Sequence, residues 1–266
     1  MSSYDKIIKE HYDSVAKADK DSASSTMSNN FIRQSETDFI VNQIHLYLSK
    51  HKLVDNDISF IDIGCGNGYT LDELSSSFKF DFHGIELTES LRKIANDRLG
   101  NQGIRVSRGD IRRSDDLPQK KFQILLCQRV LINLLDKNDQ EEALNNLISL
   151  VKKGGLLIFI ECFNESLVNL NKIRESFLLD PMKPSHHNLY LANDILNNER
   201  LAIFNDTQKN FLSMHYFVSR VLHPLYLNYN NLPFERNSEF VNKLTKSLPV
   251  NIGEYSPLKF LSFTKC

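Results

Sequence analysis

A glycine-rich turn at the end of an apolar run is the first feature of this chain that could bind a ligand. The apolar run covers residues 58–63, and the turn reads Asp62-Ile-Gly64-Cys-Gly66-Asn-Gly68. Because glycine has no Cβ, the backbone can turn sharply here and approach a ligand closely. In an open parallel sheet, ligands bind outside the carboxyl ends of the strands. We therefore predict that Asp62 and the three glycines hold a small molecule.

Two common phosphate-binding patterns do not fit this turn. A dinucleotide-binding turn, G-x-G-x-x-G, would need a glycine at position 69, where the chain has Tyr69. A Walker loop needs Gly-Lys-Ser/Thr, and no lysine follows the glycines. The turn instead follows the pattern D-x-G-x-G-x-G at every position. A purely structural glycine turn is the alternative for this motif taken alone.

Acidic residues follow the next two predicted strands. Glu86 comes directly after the strand at 80–85. A carboxylate there can accept hydrogen bonds from both hydroxyls of a ribose, as the acidic residue of dinucleotide-binding folds does. Asp110 and Ile111 follow the strand at 104–107, where an adenine would lie, and Asp110 could accept from the exocyclic amine. An ordinary turn or N-cap aspartate is the alternative.

Strands and helices alternate through the middle of the chain. Apolar runs predict strands at 58–63, 80–85, 104–107, 122–127 and 156–160, and helical patterns predict helices at 69–78, 88–99 and 138–151. Gly100 and Gly154-Gly155 are expected to stop two of these helices. This alternation indicates an α/β fold with a parallel, doubly wound sheet. Further helices are predicted at 4–18, 31–50, 167–179 and 210–227, the last broken near Pro224, and a final strand at 258–263.

Taken together, these residues resemble the core of class I S-adenosylmethionine-dependent methyltransferases. The segment Val151-Lys-Lys-Gly-Gly-Leu-Leu157 adds to the resemblance, because it is similar to the family's turn before the fifth strand. The resemblance implies a Rossmann-like seven-stranded sheet with helices on both faces and an antiparallel last strand. It also implies S-adenosyl-L-methionine as the cofactor, bound by the glycine turn, Glu86, Asp110 and Ile111. The chain is further similar to small-molecule methyltransferases of bacterial surface-polysaccharide and natural-product pathways.

The segment Cys127-Gln128-Arg129-Val-Leu-Ile-Asn133 occupies the family's fourth-strand position, which faces the methyl donor and the acceptor. Gln128 is therefore expected to contact the cofactor and Arg129 the acceptor, although both could instead lie in a salt-bridged loop edge. The N/D/S-P-P-Y/F/W motif of amino-methylating DNA enzymes is absent, which disfavours DNA base methylation. Arg33 is expected to pair with the methionine carboxylate of the cofactor, and an exposed arginine on the helix surface is the alternative.

The acceptor is expected on the side that follows the fifth strand. There the loop at 183–190 groups polar side chains, and histidine is the natural base near neutral pH. We predict His187 as the catalytic base and Glu161, at the carboxyl end of the fifth strand, as the other catalytic residue. His186, Asn188 and Tyr190 are expected to contact the acceptor. Exposed loop histidines are the alternative.

Composition excludes several other classes of protein. The formal net charge is −1, which gives no basic field for nucleic acid. No apolar run approaches the roughly 20 residues of a membrane helix, so no membrane partner is expected. The four cysteines lack a metal-binding spacing, so no metal site is expected and a reducing cytoplasm is favoured. We predict one domain: an N-terminal helical lid (1–50), a cofactor-binding core (58–162), a helical acceptor-side cap (163–230) and a final strand (257–265).

The expected function is methyl transfer from S-adenosylmethionine to a hydroxyl of a small-molecule acceptor. The acceptor is expected to be polar, such as a nucleotide-linked sugar for capsule or another surface polysaccharide. N-methylation of an amino sugar or a related amine is the first alternative, and a cofactor-binding protein without catalysis is the second.

Overall fold

The core of the molecule is a seven-stranded sheet with helices on both faces. The computed structural model describes residues 3–18, 29–207, 209–235, 237–249 and 251–266. The strand order across the sheet is β3-β2-β1-β4-β5-β7-β6. The strands are β1 (Ser59–Ile63), β2 (Asp81–Ile85), β3 (Arg105–Ser107), β4 (Phe122–Gln128), β5 (Val151–Cys162), β6 (Leu201–Asn205) and β7 (Leu258–Lys265).

The first five strands are parallel, and β7 runs antiparallel to both β5 and β6. In β1, β4 and β5 almost every side chain is buried, because helices cover both faces of a parallel sheet. These findings confirm the predicted α/β fold, the doubly wound sheet and the antiparallel last strand. The sheet order also brings the carboxyl ends of β1 and β4 together at the centre, where a doubly wound sheet binds its ligand.

Nine labelled helices surround the sheet in the described part of the chain. They are α1 (Ser3–Ala18), α2 (Asn30–His51), α3 (Tyr69–Ser77), α4 (Glu89–Leu99), α5 (Lys137–Leu150), α6 (Asn164–Ser176), α7 (Ser213–Phe217), α8 (His223–Tyr229) and α9 (Glu239–Lys246). Asn29 caps α2 by accepting from the backbone N–H of Phe31 and Ile32, so the chain enters α2 in a fixed direction. None of these helices is long and apolar enough to cross a membrane.

One predicted helix end is wrong. The predicted helix at 138–151 ends at Leu150, and β5 begins at once, so Gly154 and Gly155 lie within the span of β5. The pairing of β4 with β5 shifts register there, which accommodates Gly154 at φ +73°. The helix α4 ends at Leu99 with Gly100 as its C-cap, as predicted, and a 3₁₀ turn follows.

The segment between β5 and β7 contains more than the predicted helical cap. It supplies β6, an edge strand whose side chains are half-buried or exposed and therefore lack the apolar pattern of the inner strands. The predicted helix at 210–227 is not broken at Pro224. A π-helical segment, Val218–Leu222, joins α7 to α8 directly, and its altered hydrogen-bond spacing accommodates the proline at the start of α8. The serines and asparagines of residues 21–30 predict a loop between the first two helices. Most of that loop falls within residues 19–28, which lie outside the described residues.

We predict that Gly68→Ala destabilises the fold while Gly100→Ala does not. Gly68 has a φ of +77°, and a Cβ there would lie 2.9 Å from Leu99 Cδ1 and 3.2 Å from Ala95 Cβ. The left-handed backbone and this contact together should cost about 1–3 kcal/mol of unfolding free energy. A Cβ at Gly100 meets no atom within 4 Å, which makes it the matched control. Urea unfolding of both variants is the measurement, and equal midpoints would contradict the packing argument.

Candidate active site

A cavity of about 840 Å³ opens over the carboxyl ends of the central strands. Pockets that hold one drug-sized ligand usually measure about 300–1,000 Å³, so this cavity can hold a cofactor together with part of an acceptor. Most of the residues predicted to bind the cofactor, together with one predicted to bind the acceptor, line it. They are Arg33, Asp62, Gly64, Gly66, Glu86, Asp110, Ile111, Gln128 and Arg129.

Glu86 ties the glycine turn to the end of β2. Its Oε2 accepts from the backbone N–H of Gly66 at 3.0 Å, and its Oε1 accepts from that of Thr88 at 2.7 Å. Burial raises the pKa of Glu86, and these two N–H donors oppose the rise. A carboxylate offers about four lone-pair sites, so both oxygens can still accept from ribose hydroxyls at the cavity wall.

The three glycines of the turn have different structural roles. Gly64 has a φ of +63°, and a Cβ on it would lie 2.6 Å from Val130 Cγ2, so the strand ends of β1 and β4 can meet only at a glycine. Gly66 presents its N–H to Glu86 beside the cavity. The structure places Gly68 differently from the prediction. It begins α3 and packs against α4, outside the cavity, so its role is helix packing.

Asp62 and Glu86 place two buried carboxyl groups at the cavity wall. Asp62 is only 2% exposed, and burial, followed by the nearby Glu86 charge, raises its pKa well above the ordinary value. Neither carboxylate forms an ion pair with any described residue. A sulfonium or ammonium group beside them would lower the cost of burying these carboxyl groups in their charged form. The residues present therefore fit a cationic methyl donor.

Asp110 is placed at the cavity but is already paired. Arg112 Nε and Nη2 lie 2.9 Å and 2.6 Å from its two carboxylate oxygens, and the Arg112 backbone N–H also donates to it. The same guanidinium reaches Asp139 at 3.3 Å. The expected hydrogen bond to an adenine amine would have to share this carboxylate, so Ile111, buried beside it, offers adenine an apolar contact that needs no rearrangement.

Glu36 is an important residue of the site that sequence reasoning missed. Its side chain is completely buried in α2, where it forms an ion pair with Arg129 and accepts from Gln128 Nε2 at 2.7 Å. Burial alone would lower the pKa of Arg129, but the Glu36 carboxylate raises it. A signal existed in the sequence, because Glu36 lies on the same helical face as the apolar residues Ile32 and Ile40. A charge on such a face needs a partner elsewhere in the fold.

Arg33 lies at the cavity wall, as predicted, next to the start of α3. Its guanidinium is 4.8 Å from the ring centroid of Tyr69, a cation–π distance, and its side chain is 6% exposed. Burial and the nearby Arg129 charge lower the pKa of Arg33. The guanidinium is thus held by packing at the place where the methionine end of the expected cofactor would enter. A contact with the methionine carboxylate stays a proposal.

Tyr12 and Asn133 form a polar pair in the cavity wall, which the sequence reasoning did not identify. Asn133 Nδ2 donates to the Tyr12 hydroxyl at 2.8 Å and to the Arg129 carbonyl at 2.9 Å. Both side chains line the cavity. Burial raises the pKa of Tyr12 to about 12, so the phenol stays protonated and can donate its own hydrogen at neutral pH. Little in the sequence indicates this pair, because Tyr12 in α1 and Asn133 in the turn after β4 are far apart in the chain.

The structure contradicts the expected orientation of Glu161. Its side chain is completely buried and does not line the cavity. The carboxylate accepts from the backbone N–H groups of Val130 (2.8 Å), Leu131 (3.0 Å) and Ile132 (3.4 Å). Glu161 therefore holds the turn after β4 in place and cannot contact an acceptor, because its oxygens face the backbone of that turn.

The loop that carries His186, His187, Asn188 and Tyr190 also lies outside the cavity. His187 stacks on His11 of α1, with ring centroids 3.7 Å apart, and lies 6.4 Å from the Tyr12 ring. His186 is exposed, and Asn188 and Tyr190 are half-buried. The loop backbone bonds to the β4 turn through Leu189 N–H and Ile132 O, at 2.7 Å. These four residues thus border the acceptor end of the cavity without forming its wall.

Burial also makes His187 a weaker base than the sequence suggests. Burial, followed by the charges of His11 and His186, lowers the pKa of His187 to about 4. The imidazole is therefore neutral at pH 7 and can accept a proton. Its Nδ1 is enclosed and has no hydrogen-bond partner among the described residues.

Comparisons with known proteins agree with this geometry. Residues 60–155 match the model of the methyltransferase domain family. The fold is similar to magnesium protoporphyrin IX methyltransferase from Synechocystis PCC 6803 with bound S-adenosylmethionine, with a TM-score of 0.56 and 10% identity over 100% of this chain and 99% of that chain. It is similar to the N-methyltransferase NodS from Bradyrhizobium japonicum WM9 in complex with S-adenosyl-L-homocysteine, with a TM-score of 0.52 and 18% identity over 73% of this chain and 88% of that chain.

A third structure matches over a shorter length. It is an amino pentose methyltransferase from Micromonospora echinaspora, with a TM-score of 0.40 and 22% identity. The match covers 47% of this chain and 49% of that enzyme, so the chain spans about half the length of this relative. No curated protein matches the chain in sequence.

The pH dependence of stability should identify Glu161 as a structural acid. Burial raises its pKa to about 7 in the folded protein, from an ordinary value of 4.5, while the three N–H donors oppose the rise. Because the folded pKa is the higher one, the stabilisation is present below about pH 4.5 and is lost as the pH rises through about 7. Relative to Glu161→Gln, the unfolding free energy of the wild type should fall by on the order of 1.4 kcal/mol per pH unit across this window.

The matched control is Glu165→Gln, because Glu165 is exposed at the start of α6. Urea unfolding between pH 5 and pH 8 measures all three proteins. Parallel stability curves for the wild type and Glu161→Gln would show that this carboxyl group does not titrate in the window.

Proposed function

We propose that this chain, a class I S-adenosylmethionine-dependent methyltransferase, methylates a hydroxyl group of a small polar acceptor such as a nucleotide-linked sugar. The observation that carries the proposal is the Tyr12–Asn133 pair, which supplies hydrogen-bonding groups in the cavity wall. An acceptor with several hydroxyls would match this wall, and a purely apolar one would leave the hydrogen of the Tyr12 hydroxyl without an acceptor. A role in capsule or another surface polysaccharide belongs to the same proposal.

The residues around the glycine turn would hold the methyl donor. Glu86 would accept from the ribose hydroxyls, Ile111 would pack on the adenine, and Asp62 would face the positive charge. Arg33 and Gln128, at the cavity wall beside α3, would contact the methionine end. The bound sulfonium supplies an electrophilic methyl group, so the protein has mainly to hold the acceptor in line with it. Such positioning can account for roughly 7–11 kcal/mol of the barrier.

Proton removal is the remaining requirement for a hydroxyl acceptor. Tyr12 would orient the acceptor oxygen, since its phenol is a donor at neutral pH. His187 is our proposed proton acceptor, because its neutral imidazole borders Tyr12 and leaves Nδ1 without a partner among the described residues. To reach the cavity, the imidazole would have to separate from His11, which requires α1 and the 181–190 loop to move apart.

N-methylation of an amino sugar or a related amine is the second candidate. It is favoured by the finding that, among the described residues, no histidine lines the cavity. A neutral amine attacks through its lone pair and needs no base before attack. NodS is named as an N-methyltransferase and shares this fold, but the fold does not specify the methylated atom.

The acceptor itself can be identified by mass spectrometry. The protein would be incubated with S-adenosylmethionine and a panel of nucleotide-linked hexoses and amino hexoses. The proposal requires that at least one hexose without an amino group gains a methyl group, and fragmentation then places it on an oxygen. Methylation restricted to amino sugars, on nitrogen, would replace this proposal with the second candidate.

Cofactor binding should depend on Glu86. We expect S-adenosyl-L-homocysteine to bind and NAD not to bind, because the chain has Tyr69 where a dinucleotide-binding turn needs a glycine. Glu86→Ala should weaken S-adenosyl-L-homocysteine by roughly 2–3 kcal/mol, the scale of hydrogen bonds to a charged group. Calorimetry is the measurement, with Glu73→Ala, an exposed position on α3, as the control. Unchanged affinity in a folded Glu86→Ala protein would remove Glu86 from the site.

Two substitutions separate orientation of the acceptor from proton removal. Tyr12→Phe should lower kcat/KM about tenfold, since one neutral hydrogen bond is worth about 0.5–1.5 kcal/mol. If the acceptor is a hydroxyl, His187→Ala should lower kcat by about 10²–10⁴-fold and leave cofactor affinity unchanged. Steady-state kinetics with the acceptor found in the panel measures both effects.

Tyr229→Phe and His45→Ala are the controls, because both side chains are exposed. Full activity of His187→Ala on a hydroxyl acceptor would exclude His187 as the base. Full activity of Tyr12→Phe would remove Tyr12 from the acceptor site.

A further inference from the structure

One buried carboxylate holds two consecutive side chains of the cavity wall. Glu36, in α2, is completely buried and does not line the cavity, so it cannot touch a ligand there. Its Oε2 accepts from Gln128 Nε2 at 2.7 Å, and its Oε1 forms the ion pair with Arg129. Gln128 and Arg129 both line the cavity. Two groups that can meet a ligand therefore depend on a residue that cannot.

The backbone at Arg129 explains how one carboxylate reaches both side chains. Successive side chains of a strand point to opposite faces of the sheet. Gln128 is the last residue of β4, and Arg129 follows it with a left-handed backbone, at φ +54°. This conformation interrupts the alternation, so both side chains turn toward Glu36. A left-handed backbone costs free energy at a residue other than glycine, and it persists where surrounding contacts hold it, often at ligand clamps.

Further hydrogen bonds extend from these two residues along the cavity wall. Thr70 Oγ1, in the first turn of α3, donates to Gln128 Oε1 at 3.4 Å. The Arg129 carbonyl accepts from Asn133 Nδ2 at 2.9 Å, and the same Nδ2 donates to the Tyr12 hydroxyl at 2.8 Å. Thr70, Asn133 and Tyr12 all line the cavity. The carboxylate of Glu36 is thus connected to cavity residues in α1, α3 and the turn after β4.

Glu36 also separates two positive charges of the wall. Arg33 precedes it by three positions in α2, and residues three apart are neighbours on a helix surface. Arg33 lines the cavity, as Arg129 does, so two guanidiniums meet at one wall. Burial, followed by the Arg129 charge, lowers the pKa of Arg33, and the Glu36 charge opposes this decrease. The carboxylate balances one of the two cations, and the other stays available to a ligand that brings a carboxylate.

We propose that Glu36 is a positioning residue for the methionine end of the methyl donor. By holding Gln128 and Arg129 it keeps Arg33 and Gln128 in place for the carboxylate and the ammonium group of that end. Because Nε2 of Gln128 donates to Glu36, the amide oxygen is the atom left to accept from an ammonium group. This role rests on the proposed function in one respect, the placement of the methionine end beside α3.

Two ligands that differ in the methionine end test this role. S-adenosyl-L-homocysteine and 5′-methylthioadenosine share the adenosine and the thioether, but only the first carries the amino and carboxylate groups. Calorimetry with the full chain measures both affinities. A glutamine at position 36 keeps one oxygen for two partners and loses the charge. We expect Glu36→Gln to weaken S-adenosyl-L-homocysteine about 10- to 100-fold, the effect of losing hydrogen bonds to charged groups, and to leave 5′-methylthioadenosine unchanged.

Gln43→Ala is the matched control for damage to α2. Gln43 is completely buried on the same helix, accepts from Ser262 Oγ at 2.9 Å and does not line the cavity. Its loss should leave the ratio of the two affinities as in the wild type. Glu36→Asp is the second variant, in case Glu36→Gln does not fold. It keeps the charge beside Arg129, but its shorter side chain cannot hold both partners, so S-adenosyl-L-homocysteine should bind with intermediate affinity.

An equal loss of affinity for both ligands in the Glu36 variants would show a purely structural role and overturn the positioning role. Unchanged affinities for both ligands would overturn it as well. If the wild type binds the two ligands equally, the methionine end is not recognised and the role is wrong, while a methylated hexose in the acceptor panel would still support the proposed function. A selective loss of S-adenosyl-L-homocysteine without any methylated hexose would reject the proposed hydroxyl acceptor and support the role of Glu36.

Discussion

The buried ion pair between Glu36 and Arg129 connects the two parts of the protein that the active site needs. Glu36 belongs to α2, before the sheet, and Arg129 follows β4, whose end faces the cavity. The carboxylate also holds Gln128, and the Arg129 backbone bonds to Ile160 of β5 at 2.8 Å. Removing one partner of a buried pair usually costs about 3–5 kcal/mol, since the other charge stays buried. The pair therefore fixes where α2 sits over the cavity, and with it Arg33.

Two other carboxylates show how one local arrangement serves different purposes. Glu86 and Glu161 both follow or end a parallel strand, and both accept backbone N–H groups from a neighbouring turn. Glu86 keeps its oxygens at the cavity wall, whereas Glu161 is enclosed on all sides. The difference comes from sheet order: β2 borders the open cleft beside β1, and β5 lies between β4 and β7. Strand position in the sheet therefore determines which acid can meet a ligand.

Features that depend on local sequence patterns could be predicted, and features that depend on the assembled fold could not. The five parallel strands and the glycine turn follow from local patterns, because apolar runs and glycine geometry act over a few residues. β6 lacks such a pattern, since an edge strand with exposed side chains buries little. The Tyr12–Asn133 and Glu36–Arg129 contacts join residues 121 and 93 positions apart, which no local pattern specifies. The orientation of Glu161 depends on the turn after β4 and thus on the assembled sheet.

The pairing of Asp110 with Arg112 was missed although it is local. The two residues are only two positions apart in the chain.

The distribution of charge in the cavity favours one orientation of the bound methyl donor. Asp62 and Glu86 are buried without cation partners among the described residues, so one end favours a positive ligand. Arg129, which also lines the cavity, is neutralised by Glu36. A cationic donor bound beside Asp62 and Glu86 would lower the cost of burying these two carboxylates. The same donor in the opposite orientation would leave both of them without a positive partner. Electrostatics thus favours the arrangement in which the sulfonium lies beside Asp62 and Glu86.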